Sequence, residues 1–285
     1  MANQEHTKYE RRGRAGWITL DAPQSRNALS AGLIAELRVH LRAAIDDAAV
    51  RVIVLTGNGP AFCAGADLKA GGSAVAPGGG ERNPFVDVLD LIWNGPKPVI
   101  AAVNGHAFGG GLGLVAAADI AVAADSAKFA FSEVRVGVIP AMISVVVLPK
   151  LGVHHAMRLF LTGETFDAAR ALHYGLLHRV VPAGDLANAV QAEVDAIALG
   201  GPTAVREAKR LIRTIPHLIH NISACRWCHY SLDGERWPRN IFQQRWRALV
   251  FSADRALVGS DRTRRGASAV RSSVASSPGI GERFP

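Results

Sequence analysis

The pattern that most constrains the fold is a short apolar run followed by a turn and a helical segment, repeated along the chain. These runs are rich in β-branched or small residues, which is typical of buried strands. They cover residues 16–20, 51–56, 98–103 and 119–123. The turns after the second and third runs contain glycine. Strands that alternate with helices favour parallel pairing, so we expect an α/β architecture.

Helices are predicted where apolar residues recur at helical spacing. Ser30 is a predicted N-cap, and the spacing after it predicts a helix to about Asp47. Further helices are expected over residues 167–174, 185–199 and 202–213. Residues 70–84 are rich in Gly and Pro and lack periodicity, which indicates a loop or lid.

Length and composition indicate one main domain with appendages. The chain has 285 residues, of which 49% are hydrophobic, enough for a sizeable core. No uninterrupted apolar run approaches the roughly 18 residues of a membrane span, and the first residues are polar, unlike a secretory signal. The cysteines are too few for a disulfide framework. We therefore expect a cytoplasmic protein that does not bind membranes.

The basic charge is concentrated in one part of the chain. The formal net charge is +8. Residues 216–285 hold 11 Arg and no Lys against 5 Asp and Glu, a net charge of +6 that leaves +2 for residues 1–215. A nearly neutral main body does not favour nucleic-acid binding, which we do not expect.

Three glycine-containing or apolar segments carry the candidate chemistry. They are AFCAGADLK at 61–69, NGHAFGGGLGL at 104–114 and FAFSEVRVGVIP at 129–140. An enzyme that forms an enolate from a thioester needs two N–H donors directed at the carbonyl oxygen. Glycines let the backbone approach a ligand closely, and a helix N-terminus adds free N–H groups. The GGG that opens LGLVAAAD supplies both features.

In these segments, together with PQSRNALS, the sequence resembles the crotonase, or enoyl-CoA hydratase/isomerase, superfamily from about Gly13 to Ile215. The resemblance implies a spiral of repeated ββα units with C-terminal helices. Residues 1–200 would form the core with the CoA site, and residues 201–285 a helical assembly region. It also implies an acyl-CoA thioester substrate and a homotrimer or dimer of trimers. No cofactor is expected, since coenzyme A is part of the substrate, and no metal.

The resemblance assigns roles to particular residues. The oxyanion amides fall on Ala66 and Gly110, and the catalytic carboxylate on Glu133, whose apolar sequence neighbours also favour a functional group. The positions that contact CoA in relatives match Ser25, Arg26, Ala28, Ala64, Asp67 and Leu68.

Gly113 is the main departure from the family pattern. Hydratases of the superfamily typically have a second glutamate there, and hydration needs both a base for water and an acid for Cα. Our first expectation is a hydratase-type lyase acting on a fatty or branched-chain 2-enoyl-CoA. The alternative is an enoyl-CoA isomerase that uses Glu133 alone. An RNA-binding or inactive protein of the same fold is a third hypothesis.

The end of the chain departs from the family. After about residue 216 the sequence lacks the usual helical pattern, as a change of reading frame in GC-rich DNA would leave it. CRWCH at 225–229 fits a haem-attachment pattern, and His217, His220, Cys225 and Cys228 match a nominal zinc set. We interpret both as fortuitous spacing.

His106 is expected to be structural, and Cys63 to pack as a small apolar residue.

Overall fold

The computed structural model describes residues 5–67 and 83–214. The strands are β1 (Thr7–Arg12), β2 (Ala15–Leu20), β3 (Val52–Gly57), β4 (Ala61–Cys63), β5 (Val99–Val103), β6 (His106–Phe108), β7 (Ile120–Ala124), β8 (Lys128–Ala130), β9 (Thr165–Asp167) and β10 (Arg179–Val181). The α-helices are α1 (Ala31–Asp46), α2 (Pro84–Asn94), α3 (Gly110–Ala117), α4 (Ala141–Thr162), α5 (Ala168–His173), α6 (Leu186–Ala198) and α7 (Pro202–Thr214).

The strands form two sheets, and each repeated ββα unit adds one strand to both of them. A six-stranded sheet has the order β1-β2-β3-β5-β7-β10, and a four-stranded sheet the order β4-β6-β8-β9. In each of the units β3-β4-α2, β5-β6-α3 and β7-β8-α4, the first strand joins the large sheet and the second joins the small one. The expected α/β spiral is confirmed.

The large sheet is covered on both faces, which explains its continuous apolar strands. Ile53 and Leu55 of β3 pack in the cluster that contains helices α1, α2 and α3. Val52 and Val54 point to the opposite face, where helix α6 packs. Successive side chains alternate between faces, so a strand buried on both sides has no polar positions.

Most predicted elements are confirmed. The strand runs correspond to β2, β3, β5 and β7, and the three later helices to α5, α6 and α7. The Ser30 side chain caps α1 by accepting a hydrogen bond from the Leu33 amide at 3.2 Å. Helices α2 and α4, strand β1 and the three-residue strands were not predicted. Pro84 begins helix α2, so the predicted loop is wrong at that residue.

Two predicted features lie outside the described residues. These are most of the loop at 70–84 and everything assigned to residues 216–285, including the CRWCH segment.

Helix α4 is the one described helix that is long and apolar enough to cross a membrane by length and composition. Its backbone breaks at Gly152, where φ is 67° and ψ is 164°. The break divides it into two helical pieces, each shorter than the roughly 20 residues a span requires.

Helix α7 is held to the core through Asp119, the residue immediately before strand β7. The Asp119 carboxylate accepts hydrogen bonds from the Val99 amide at 2.8 Å and from Arg213 at 3.0 Å. Lys209 completes the cluster at 2.8 Å from the same carboxylate. Arg213 also lies over the Trp93 ring, 3.3 Å from its centroid. A carboxylate paired with the buried Lys209 and the partly buried Arg213 fixes the end of the described chain against the sheet.

We predict that Asn27→Ala destabilises the protein by roughly 2 to 4 kcal/mol. The Asn27 side chain is fully buried, accepts from the Ala22 amide at 2.9 Å and donates to the Ala61 carbonyl at 2.8 Å. Its φ of 56° is also unfavourable for alanine. Chemical denaturation measures the change. Asn94→Ala, which removes an exposed amide on helix α2, is the control, and equal losses in both variants would contradict the prediction.

Candidate active site

Three neighbouring strands of the small sheet deliver the candidate site residues to one edge. Strands β4 and β6 pair in parallel, as do β6 and β8. Parallel strands end at the same edge, where ligand sites of α/β folds commonly lie. Ala66 follows β4, Gly110 follows β6 and Glu133 follows β8. The sheet therefore brings together three residues that are separated by more than 20 positions in sequence.

The Ala66 and Gly110 amides have the features of an oxyanion hole. A methyl group built on Gly65 would lie 3.3 Å from the Gly110 nitrogen, so the two turns are in close contact. Gly110 is the first residue of helix α3, where an N–H has no partner within the helix. Within the described residues, neither amide has a hydrogen-bond acceptor. Two free donors beside a helix N-terminus can stabilise a developing negative charge.

Glycine is required at both turns. Gly65 has φ of 88°, and a side chain there would lie 2.7 Å from the Phe108 carbonyl oxygen. Gly109 has φ of 48°, and a side chain there would press against the Glu133 carboxyl group. Because of the positive φ and the close approach, any residue other than glycine would destabilise these turns.

The Glu133 carboxyl group lies against the turn that carries Gly110. A methyl group built on Gly109 would be 3.3 Å from Glu133 Oε1. The Gly109 amide donates to the Ala130 carbonyl at 2.9 Å, which holds the turn to the strand preceding Glu133. Glu133 Oε2 is buried and has no hydrogen-bond partner within the described part of the chain. Burial raises the pKa of Glu133 above its ordinary value.

The predicted CoA-binding residues come together around one pair of loops. The Ala64 amide donates to the Arg26 carbonyl at 3.0 Å, and the Leu29 amide donates to the Gly65 carbonyl at 2.8 Å. Ser25 and Arg26 are exposed and Ala28 is buried. Asp67 lies at the end of the same stretch, while Leu68 lies outside the described residues.

Helix α3 is also held at its other end by cations. Lys150 Nζ donates to the Ala118 carbonyl at 2.6 Å, and Arg213 donates to the Ala117 carbonyl at 3.4 Å. Positive groups at a helix C-terminus satisfy its free carbonyls and complement its dipole. Burial lowers the pKa of Lys150 to about 8. The helix that presents Gly110 is thus anchored at both ends.

Apolar side chains surround the first turn of helix α3. A methyl group built on Gly110 would meet Leu29 and Phe85, and one on Gly113 would overlap Cγ2 of Ile143. Leu89 lies 3.8 Å from that second position. Sequence reasoning did not identify these residues as part of the site. Ile143 is ten residues from Glu133 and has no local motif to mark it.

Cys63 and His106, which the sequence analysis expects to have structural roles, are both held by local packing or hydrogen bonding. Cys63 is fully buried without a disulfide, and burial raises its pKa to about 12, so it packs as a small apolar residue. His106 Nδ1 accepts a hydrogen bond from the Lys128 amide at 3.2 Å and its ring stacks on Phe108. This supports a structural role for His106.

Comparison with known proteins gives consistent results. The family profile described as Enoyl-CoA hydratase/isomerase matches residues 11–218. Carnitinyl-CoA dehydratase from Proteus mirabilis is 38% identical over 213 residues, 73% of this chain and 80% of its own length. The "Probable enoyl-CoA hydratase" of Rhizobium meliloti is 40% identical over 237 residues, 82% of this chain and 87% of its own.

Solved structures of the same family resemble this chain in fold. The enoyl-CoA hydratase of Mycobacterium smegmatis superposes with a TM-score of 0.68 at 34% identity, covering 74% of this chain and 84% of that one. An enoyl-CoA hydratase/isomerase from Marinobacter aquaeolei gives a TM-score of 0.69 at 29% identity, covering 89% and 92%. The profile match, these identities and the ββα spiral lead to one conclusion: the chain belongs to the enoyl-CoA hydratase/isomerase, or crotonase, family.

Proposed function

We propose that the protein is an enoyl-CoA hydratase-type lyase that adds water to a 2-enoyl-CoA of fatty-acid or branched-chain metabolism. The observation that carries the proposal is the Glu133 carboxyl group, desolvated and lying against the turn that presents the Gly110 amide. The hydratase and dehydratase names of relatives at 38% and 40% identity support the same chemistry.

The reaction assigns one role to each group. The thioester oxygen accepts hydrogen bonds from the Ala66 and Gly110 amides, which stabilise its negative charge as the enolate forms. The Glu133 carboxylate takes a proton from water, whose oxygen bonds to C3 of the enoyl group. Glu133 then returns the proton to C2, and the double bond becomes single. A raised pKa suits a group that must both accept and release a proton near neutral pH.

The CoA portion of the substrate would lie along the paired loops at 25–29 and 64–67. The exposed Arg26 guanidinium is suited to a CoA phosphate, since arginine binds phosphate through several N–H donors. The same two loops contain the other predicted CoA-binding residues that the structure describes: Ser25, Ala28, Ala64 and Asp67. Coenzyme A enters as part of the substrate, so the proposal includes no separate cofactor.

Isomerisation is the second candidate, favoured by the glycine at position 113. A base that takes a proton from C2 of a 3-enoyl thioester and returns it to C4 moves the double bond with one carboxylate. Because Ile143 fills the space beside Gly113, Glu133 would be the acid and base of either reaction.

We predict that Glu133→Gln lowers turnover by roughly 10²- to 10⁴-fold, because the amide cannot transfer the proton. The assay follows the ultraviolet absorbance of the conjugated thioester. Loss of absorbance with crotonyl-CoA indicates hydration, and gain with only a 3-enoyl-CoA indicates isomerisation. Glu193→Gln, on helix α6, is the control and should keep wild-type turnover. Full activity in Glu133→Gln would refute the assignment.

We predict opposite effects of pH on activity and stability through Glu133. Its pKa is raised, so the carboxylate forms, and activity rises, with a midpoint above the ordinary value of 4.5. The folded state binds this proton more tightly than the unfolded state. Its contribution to stability is therefore present below pH 4.5 and lost as pH rises through the folded pKa.

Thermal melts of wild type and Glu133→Gln at pH 4 and pH 7.5 check the second effect. The variant should gain in melting temperature relative to wild type as the pH rises, because it has no buried carboxylate to ionise. A difference that stays constant between the two pH values would contradict the raised pKa.

We also propose that the protein assembles as a homotrimer or dimer of trimers. Large apolar side chains are exposed along residues 136–161, including Ile139 at 75%, Val145 at 69% and Leu161 at 71%. Exposed apolar surface of this kind commonly marks an interface between proteins. Sedimentation equilibrium should give three or six times the chain mass of 30.2 kDa, and a monomer at micromolar concentration would contradict the proposal.

A further inference from the structure

Ile143 occupies the space that a side chain at position 113 would need. A Cβ atom built on Gly113 would overlap Cγ2 of Ile143 and lie 3.1 Å from its Cβ. Ile143 sits in the first turn of helix α4 and is 3% exposed. Its side chain is packed on all sides, so it cannot move aside freely.

The filled space lies one helical turn from the catalytic groups at the start of helix α3. The Gly113 amide donates to the Gly109 carbonyl at 3.2 Å, which places the two residues one turn apart. A methyl group built on Gly109 would lie 3.3 Å from Glu133 Oε1, and Gly110 presents the oxyanion amide. Hydrocarbon from Ile143 therefore packs against helix α3 one turn from the residue that lies beside the Glu133 carboxyl group.

We infer that Ile143 determines the reaction specificity of the site by excluding a second carboxylate next to Glu133. The inference rests on the proposed function, which it deepens. With one carboxylate, the same group removes and returns the proton, so hydration and isomerisation compete for Glu133. A second carboxylate would hold the attacking water while Glu133 protonates C2, which favours hydration. The Gly113–Ile143 pair thus sets the ratio of the two reactions.

The packing claim is tested by a double-mutant cycle with a neutral side chain. Gly113→Gln, Ile143→Ala and the double variant are compared with wild type by thermal melting. Gly113→Gln alone should lower the melting temperature by about 5 °C or more, since overpacking is destabilising. The loss in the double variant should be smaller than the sum of the single losses, because the cavity left by Ile143→Ala receives the new side chain. Additive losses would overturn the inference.

The catalytic claim is tested in the Ile143→Ala background. Gly113→Glu/Ile143→Ala is compared with Gly113→Gln/Ile143→Ala, which differs only by a carboxylate against an amide. The hydration rate with crotonyl-CoA is divided by the isomerisation rate with a 3-enoyl-CoA. The ratio should be about tenfold or more higher in the glutamate variant, a conservative threshold beside the roughly 10²- to 10⁴-fold that a positioned acid or base contributes. Equal ratios in two folded variants would overturn the inference.

The two arms separate failure of the inference from failure of the proposed function. If folded wild-type protein acts on neither substrate, the proposed function is wrong and the catalytic claim falls with it. The melting cycle does not depend on activity and decides the packing claim in that case as well.

Discussion

The parallel pairing of β4, β6 and β8 is the constraint on which the site depends. The three strands are short, yet their register places the residues that follow them at one edge of the small sheet. The first strand of each unit builds the large sheet, and the second directs a loop toward this edge. Ala66, Gly110 and Glu133 are therefore positioned by backbone hydrogen bonds rather than by contacts among their own side chains. Donors held in this way are already oriented before substrate arrives, as the proposed electrostatic stabilisation requires.

Close backbone approach is the second requirement. Gly65 and Gly109 adopt positive φ where a side chain would meet a carbonyl oxygen or the Glu133 carboxyl group. Asn27 ties the loop at 25–29 to strand β4 through buried hydrogen bonds to the Ala61 and Phe62 carbonyls. Desolvation of Glu133 follows from the same compactness. Its buried Oε2 atom lacks a partner among the described residues, a cost to stability that is consistent with the proton-transfer role proposed for Glu133.

The sequence predicted the parts of the fold that carry strong local signals. Continuous β-branched runs identified β3 and β5, and Ser30 identified the start of α1, because burial on both faces and capping leave clear patterns. The small sheet was not predicted, since strands of three residues are too short to show a period. The site residues came from motif resemblance, and the structure then brought Ala66, Gly110 and Glu133 together. Ile143 had no such signal, because its importance arises only from the packing of helix α4 on α3.

The most direct test of the account is a crystal structure with acetoacetyl-CoA, a thioester that does not undergo hydration. We predict the thioester oxygen at about 2.7 to 3.1 Å from both the Ala66 and Gly110 nitrogens, with the Glu133 carboxyl group beside C2. A thioester bound with its oxygen away from these amides, or with Glu133 remote from C2, would contradict the central claim that this sheet edge is the acyl-CoA site.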